Sequence, residues 1–459
     1  MSTLRTNPTL RTADERRSAW SWRARKQSES RVRELQLPIP PVDEQVTGEL
    51  RVKGLAAEAA RLVDCFLRRD AVDHSSTRQL AGTLIQFGLE IGARTIYFEP
   101  GASIRMRAPA GIRDPLRLPE EFRGLLQAVL LESAGLDPDS RRPQDGLLRV
   151  AQGEHRFQLR ITCIPGVLGT VSTLHLPPRE ARLGGFSTLG MFPDILAAFE
   201  PALARSGGMV VVAGSPESDV PRTLCTLLNR INHGTGRAVT IEDPVVYLLP
   251  RVTQIAVDAT AGLAFSDALR LCLRDQLDSV MLSHLPDPET ASLALQAARS
   301  GRKVLAGFPA DRAAAVPSDL IAMGVPSYQV ASGLAAVLVQ HRVRRLCDAC
   351  KQPDPQSGYY RERLASFHQV WDMYPREEGG YTPGRCAECG HTGYQGHVIL
   401  FEVLPVTASV RSAILRGEAP AELQETAIRE GMITLAADGK RRVDMGEISM
   451  EDLFGVLGA

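Results

Sequence analysis

Residues 207–223 read GGMVVVAGSPESDVPRT. The first half is short, apolar and unbroken, the pattern of a strand covered on both faces in a parallel sheet. The segment beyond it, PRTLCTLLNRI at 221–231, carries apolar residues at helical spacing. A phosphate-binding loop belongs between such a strand and such a helix. That loop needs glycines so that backbone N–H groups can wrap the phosphates, a lysine for the β/γ charge and a hydroxyl for Mg2+. Gly214 keeps the first glycine. Glu217 and Asp219 stand at the inner glycines, Val220 at the lysine and Pro221 at the hydroxyl.

Each substitution acts against a bound nucleotide. Loss of the lysine removes the compensating cation, and the two carboxylates add like charge beside the phosphates. One such pair at ~4 Å repels by roughly 4 kcal/mol at an effective dielectric of 20, about a thousandfold in affinity. Pro221 supplies neither N–H nor hydroxyl. Proline is nevertheless tolerated in the first turn of a helix, where its N–H would be unpaired anyway. Arg222 lies two residues past Val220, about 200° around a helix, and so points away from the place of the lysine. Strand and helix can survive while the chemistry between them does not.

Further apolar runs of the same kind follow at RAVTIEDP (237–244), DSVMLSH (278–284) and RKVLAGF (302–308). Helical stretches separate them, SDALRLCLRDQL (266–277) and PETASLALQAARS (288–300). The alternation defines an α/β unit with a parallel sheet covered on both faces. Upstream, helical spacing recurs over 54–69 and 77–92. Strand-like runs follow at ARTIYFEP (93–100), SIRMRA (103–108), LLRVA (147–151), HRFQLRITCI (155–164) and TVSTLHL (170–176), making a smaller α+β unit. We therefore expect a disordered arm or linker at 1–48, an N-terminal α+β domain at 49–185, the α/β core at 190–340, a cysteine-bearing subdomain at 341–405 and a helical segment at 406–459.

A chain of 459 residues exceeds one core. Its 53 basic and 53 acidic residues cancel, which gives no support to a nucleic-acid or membrane-surface binder. No apolar run approaches the ~20 residues that span a bilayer, and the arginine-rich N-terminus lacks the apolar core of a secretory signal. The expected address is cytoplasmic. Cys65, Cys163, Cys225 and Cys272 occur singly in apolar or mixed segments and read as buried thiols. Cys347 with Cys350, and Cys386 with Cys389, form two CxxC pairs about 35 residues apart. Such pairs present four thiolates to one tetrahedral Zn2+. A structural zinc is the favoured reading, with an unmetallated or redox quartet as the alternative. His391 and His397 read as surface or packing residues, since four thiolates already satisfy the metal.

Several segments together resemble the ATPase family of type II secretion and type IV pilus assembly. They are TIEDPVVYLLP (240–250), QAARSG (296–301), GLAAVLVQHRVRRLCDACK (333–351), CAECGHTGYQG (386–396), FEVLPV (401–406) and GMITLAADGKRRV (431–443). The resemblance implies a small N-terminal domain joined to a RecA-like P-loop core, a hexameric ring on a membrane-embedded platform, and ATP with Mg2+ as ligands. It implies nucleotide contacts at Gly214, Ser218 and Thr223, arginines Arg105, Arg107 and Arg160 reaching the site from the N-terminal domain, and Glu242 positioning the attacking water.

Departures from the family pattern extend well beyond the loop. In VMLSHLPD, His284 stands at the catalytic glutamate and Pro286 at an arginine; in AGFPA, Pro309 stands at a histidine. In the N-terminal domain Thr95 and Tyr97 replace an aspartate and a histidine, and Thr170 a glutamate. The expectation is a degenerate member, a pseudo-ATPase acting as scaffold or regulatory subunit. It would sit in a homo- or hetero-hexamer with an active paralogue, held at the inner membrane through platform proteins, with no nucleic-acid partner. The alternatives are a slow but genuine ATPase and, on the basic HRVRRLC stretch, a zinc-dependent nucleic-acid binder.

Overall fold

The structure, a computed structural model, describes residues 35–36, 74–100, 103–108, 111–118, 120–152, 155–176, 189–215, 218–232, 236–247, 249, 251–257, 262–355 and 380–458. The helix expected at 54–69, Cys65 and all of the arm except 35–36 lie outside these residues.

Alternating burial builds the first sheet. Its strands are β1 (Leu35–Gln36), β2 (Thr95–Phe98), β3 (Ser103–Ala108), β4 (Gly111–Arg117), β5 (Gln144–Gln152), β6 (His155–Gly166) and β7 (Gly169–His175). They lie in the order β1-β5-β6-β7-β2-β3-β4, antiparallel except for β1 beside β5. Every second residue is sealed from solvent: Ile96 and Phe98, Ile104 and Met106, Leu148 and Val150, Leu159 and Ile161. That period puts one face of the sheet against helices α1 (His74–Glu90) and α2 (Glu120–Ser133).

Continuous apolar runs build the second sheet. Its strands are β8 (Gly208–Gly214), β9 (Ala238–Glu242), β10 (Thr253–Ala256), β11 (Ser279–Leu282), β12 (Lys303–Phe308), β13 (Leu334–Leu346) and, beyond the short hairpin β14 (Gln352–Pro353) and β15 (Tyr381–Thr382), β16 (Tyr394–Pro405). The order is β10-β9-β11-β12-β8-β13-β16. All neighbours are parallel except β13 and β16, which pair antiparallel. The helices are α3 (Pro193–Ala204), α4 (Val220–Ile231), α5 (Phe265–Arg274), α6 (Pro288–Arg299), α7 (Ala315–Ala322), α8 (Ser327–Gly333), α9 (Ala408–Arg416), α10 (Pro420–Arg429), α11 (Leu435–Asp444) and α12 (Met450–Leu457). Central strand β8 shows why its run is unbroken. Met209, Val211 and Ala213 enter one apolar cluster with α5, α6 and α8. Val210 and Val212 enter another with α3 and α4.

The strand β13 runs straight through the boundary expected at 340/341. Its partner β16 pairs with it from Ala336 to Leu346, so the segments flanking the cysteines extend the core sheet. Cys163, Cys225 and Cys272 are buried free thiols. No described helix is long and apolar enough to cross a membrane.

Candidate functional site

Open α/β sheets bind ligands outside the carboxyl ends of their parallel strands. Four such ends meet here, those of β8, β9, β11 and β12. At the end of β8 the chain is closely packed. A Cβ on Gly214 would stand 2.5 Å from the carbonyl oxygen of Gln340, which excludes any side chain there. Ser218 is fully buried, its Oγ 2.8 Å from that of Ser215. Gln340, equally buried in β13, donates through Nε2 to the Ser218 carbonyl and accepts at Oε1 from Thr223 Oγ1 at 2.8 Å. The sequence-expected trio Gly214, Ser218 and Thr223 is thus gathered around Gln340, the first at its backbone and the other two at its amide side chain.

Asp219 follows with φ 67° and ψ 34°. This left-handed geometry suits glycine and costs an L-residue about 1 kcal/mol, least for Asp and Asn. The Asp219 carbonyl accepts from the Arg222 N–H at 3.1 Å, and α4 opens with Val220 and Pro221 in its first turn. Proline has not broken the helix. Arg222 is buried within α4. The Asp219 carboxylate, 9% exposed, lies 3.8 Å from Nη2 of Arg94 on the first sheet. Glu217 is outside the described residues.

At the end of β9, Glu242 is 1% exposed. It accepts from Thr240 Oγ1 at 2.6 Å and Gln254 Nε2 at 2.9 Å. Burial raises its pKa against these two bonds. After β11, His284 Nδ1 is 3.1 Å from Ser283 Oγ, and its ring meets Phe265 edge-on at 4.6 Å between centroids. Burial lowers its pKa, opposed by the Asp243 carboxylate and aided by the Arg160 guanidinium. A neutral imidazole cannot hold Mg2+-bound water as a carboxylate does. Pro286 and Pro309 are exposed. Asp287 caps α6 through a 2.7 Å bond from the Thr290 N–H.

The three expected arginines separate. Arg105 pairs with Glu99, and Arg107 Nε donates to Tyr97 Oη at 3.2 Å. Both partners belong to the β2 side of the first sheet. Arg160 binds Asp145 in a fork and also reaches Asp243 Oδ1 at 3.5 Å. Sequence reasoning missed Gln340, Arg94 and Asp243. Gln340 carried a signal, being the polar residue that closes the apolar run LAAVLVQ.

The four cysteines of the second cluster converge. Their Sγ atoms all lie within 4.8 Å of one another. Cys347 to Cys386 and Cys350 to Cys389 are each 3.8 Å, and Cys386 to Cys389 is 3.6 Å. Sulfurs bound tetrahedrally at ~2.3 Å would be about 3.8 Å apart, so the donor set fits a metal ion such as zinc. Local structure enforces the approach. Lys351 N–H bonds the Cys347 carbonyl at 3.0 Å, His391 N–H the Cys386 carbonyl at 2.8 Å, and Gly393 N–H points at Cys389 Sγ at 3.2 Å. Gly393 has φ +79°, and a Cβ there would meet Pro383 at 2.5 Å. His391 is exposed, and His397 accepts at Nδ1 from Arg342 at 3.1 Å; among the described residues the group that could hold a metal is the four cysteines.

Strand order, the helix opening directly after the central strand and the loop between them define a RecA-like P-loop fold. Residues 70–455 match the family model described as "Type II/IV secretion system protein", and the chain belongs to that family. It is 30% identical over 390 residues to the type IV pilus assembly ATPase PilB of Thermus thermophilus, covering 83% of this chain and 43% of that protein. It is 30% identical to the type II secretion system protein HxcR of Pseudomonas aeruginosa, covering 78% and 72%. Type II secretion system protein E of Klebsiella pneumoniae is 30% identical, covering 90% and 81%. The chain thus spans less than half the length of the Thermus relative and larger shares of the other two. Among solved structures, the fold matches the pilus retraction motor PilT with bound ADP at a TM-score of 0.58 and 20% identity, over 81% of this chain and 95% of that one. It matches the ATPase DotB of Yersinia pseudotuberculosis at 0.60 and 17%, over 84% and 95%.

Proposed function

We propose that the chain is a pseudo-ATPase of a type II secretion or type IV pilus assembly machine, acting as a scaffold or regulatory subunit. The observation that carries this reading is Asp219. It is the N-cap residue of α4, at the place expected of an inner glycine, and its carboxylate lies 3.8 Å from Arg94 Nη2, with Val220 and Pro221 following it in the chain. Neutral His284 at the other side of the site removes the hydrolytic carboxylate. The subunit would sit in a hexamer, alone or with an active paralogue, held at the inner membrane by platform proteins. The four cysteines would hold a structural Zn2+ whose part is to fasten the two turns together. Isothermal titration with Mg-ATP tests the reading: no binding up to millimolar nucleotide is expected, and micromolar binding with turnover would overturn it.

One observation favours a second reading, that of a slow ATPase. Glu242 is retained, buried and hydrogen-bonded. Under that reading Glu242→Gln abolishes whatever turnover the purified chain shows. Under the first it leaves the background rate unchanged.

A further inference from the structure

Two ends of the site, the loop after β8 and the end of β9, are each tied to the first sheet by an arginine–carboxylate contact. Arg94 reaches Asp219 in the loop after β8 at 3.8 Å. Arg160 reaches Asp243, beside Glu242 at the end of β9, at 3.5 Å. Each arginine is anchored in its own sheet. The Arg94 N–H bonds the Arg107 carbonyl at 2.8 Å, and the Arg94 carbonyl accepts from the Leu176 N–H at 2.9 Å. Arg160 is held by Asp145 across the β5–β6 pair. Each carboxylate is anchored in the second sheet. Asp219 is fixed as the cap residue of α4, and the Asp243 N–H bonds Ser283 Oγ at 3.2 Å. That serine in turn contacts His284.

A carboxylate as enclosed as Asp219 requires a cation, and the N-terminal end of a helix favours negative charge. The loop therefore supplies from its own side chain an anion for Arg94. We infer that Arg94–Asp219 and Arg160–Asp243 form a built-in clasp, which holds the two sheets in one closed arrangement without any nucleotide. This deepens the pseudo-ATPase reading and rests on it for one point only, that no phosphate competes for Arg94. Arg160–Asp243 is the more exposed contact, at 35% on each side. It contributes less and weakens with salt.

The test is energy transfer within the full chain between dyes on genetically encoded residues at Leu168 and Leu271. These positions are 84% and 57% exposed, one on each sheet-bearing unit. The wild type is expected to show one population that Mg-ATP does not move. Asp219→Asn with Asp243→Asn, which removes charge and keeps shape, should add a second, lower-transfer population of roughly a tenth of the molecules. The exchange pair Arg94→Asp with Asp219→Arg should return a single population. An unchanged single population in the doubly neutralised variant overturns the clasp, as does failure of the exchange pair to behave better than Asp219→Arg alone. Nucleotide binding in the calorimeter with the variants still opening would overturn the pseudo-ATPase reading and leave the clasp standing.

Discussion

The cysteine turns and the loop after β8 hang from the same strand. Gln340, which pins the loop from the middle of β13, and Cys347, which follows the strand's last residue and opens the first turn, are seven residues apart. At the turns the reactive groups and the backbone that aims them are both present: four sulfurs at metal-binding separation, with glycines and N–H groups arranged around them. At the loop only the backbone is present. Gly214, the left-handed residue 219 and the Gln340 pin hold the described parts of the loop, while Asp219, Val220 and Pro221 stand where a phosphate loop needs glycine, lysine and a hydroxyl. The path of a loop and its chemistry are therefore separable. The path is secured by neighbours across the sheet, and the chemistry by the few side chains at its lip.

The strongest way to break this contrast is to restore the chemistry on the unchanged path. Asp219→Gly, Val220→Lys and Pro221→Ser together should raise affinity for Mg-ATP by about a thousandfold, the equivalent of one removed carboxylate–phosphate repulsion. Turnover should stay absent while His284 remains, and calorimetry with a phosphate-release assay reads both. No gain in binding would mean the path has been lost as well.

At the turns the opposite change should act on stability. Cys347→Ser is expected to take bound zinc from one equivalent to none by elemental analysis and to lower unfolding free energy by more than ~3 kcal/mol. Unaltered melting would show that the sulfurs are gathered by packing alone. Next in size is Gln340→Ala, which strands the Ser218 carbonyl and the Thr223 hydroxyl in a buried place. Urea unfolding should register a loss of about 2 kcal/mol, and the variant should exchange the 214–223 amides faster.

The smallest effect concerns Glu242. Its pKa is raised by burial, so the native state binds a proton that the unfolded state releases. Its contribution to stability therefore falls as pH climbs from the ordinary carboxylate range through the raised native value. Glu242→Gln should flatten that decline and change nothing at acid pH, as followed by melting temperature against pH.

Much of this was legible in the sequence, and the reasons are physical. Strands β8, β9, β11 and β12 announce themselves because both faces are covered, leaving no polar interruption. The cysteine turns do so because spacing alone restricts which sulfurs can meet. The role of β13 was harder to read. Its second half, HRVRRL, pairs only with β16 and is open enough for charge, so it looked like the start of another unit. The clasp was illegible because Arg94 and Asp219 are 125 positions apart in sequence and meet only once both sheets exist. Asp219 itself read as a residue standing at the place of a glycine, and nothing local says that its backbone is left-handed.

The length of β13 has a geometric consequence. Extended chain rises ~3.3 Å per residue, so Gln340 and Leu346, the residue before Cys347, stand about 20 Å apart along one strand. That strand is laced to β16 over almost the whole interval. It joins the first cysteine turn to Gln340, and through Gln340 to the foot of α4, by one paired strand broken by a single irregularity between Arg344 and Leu346.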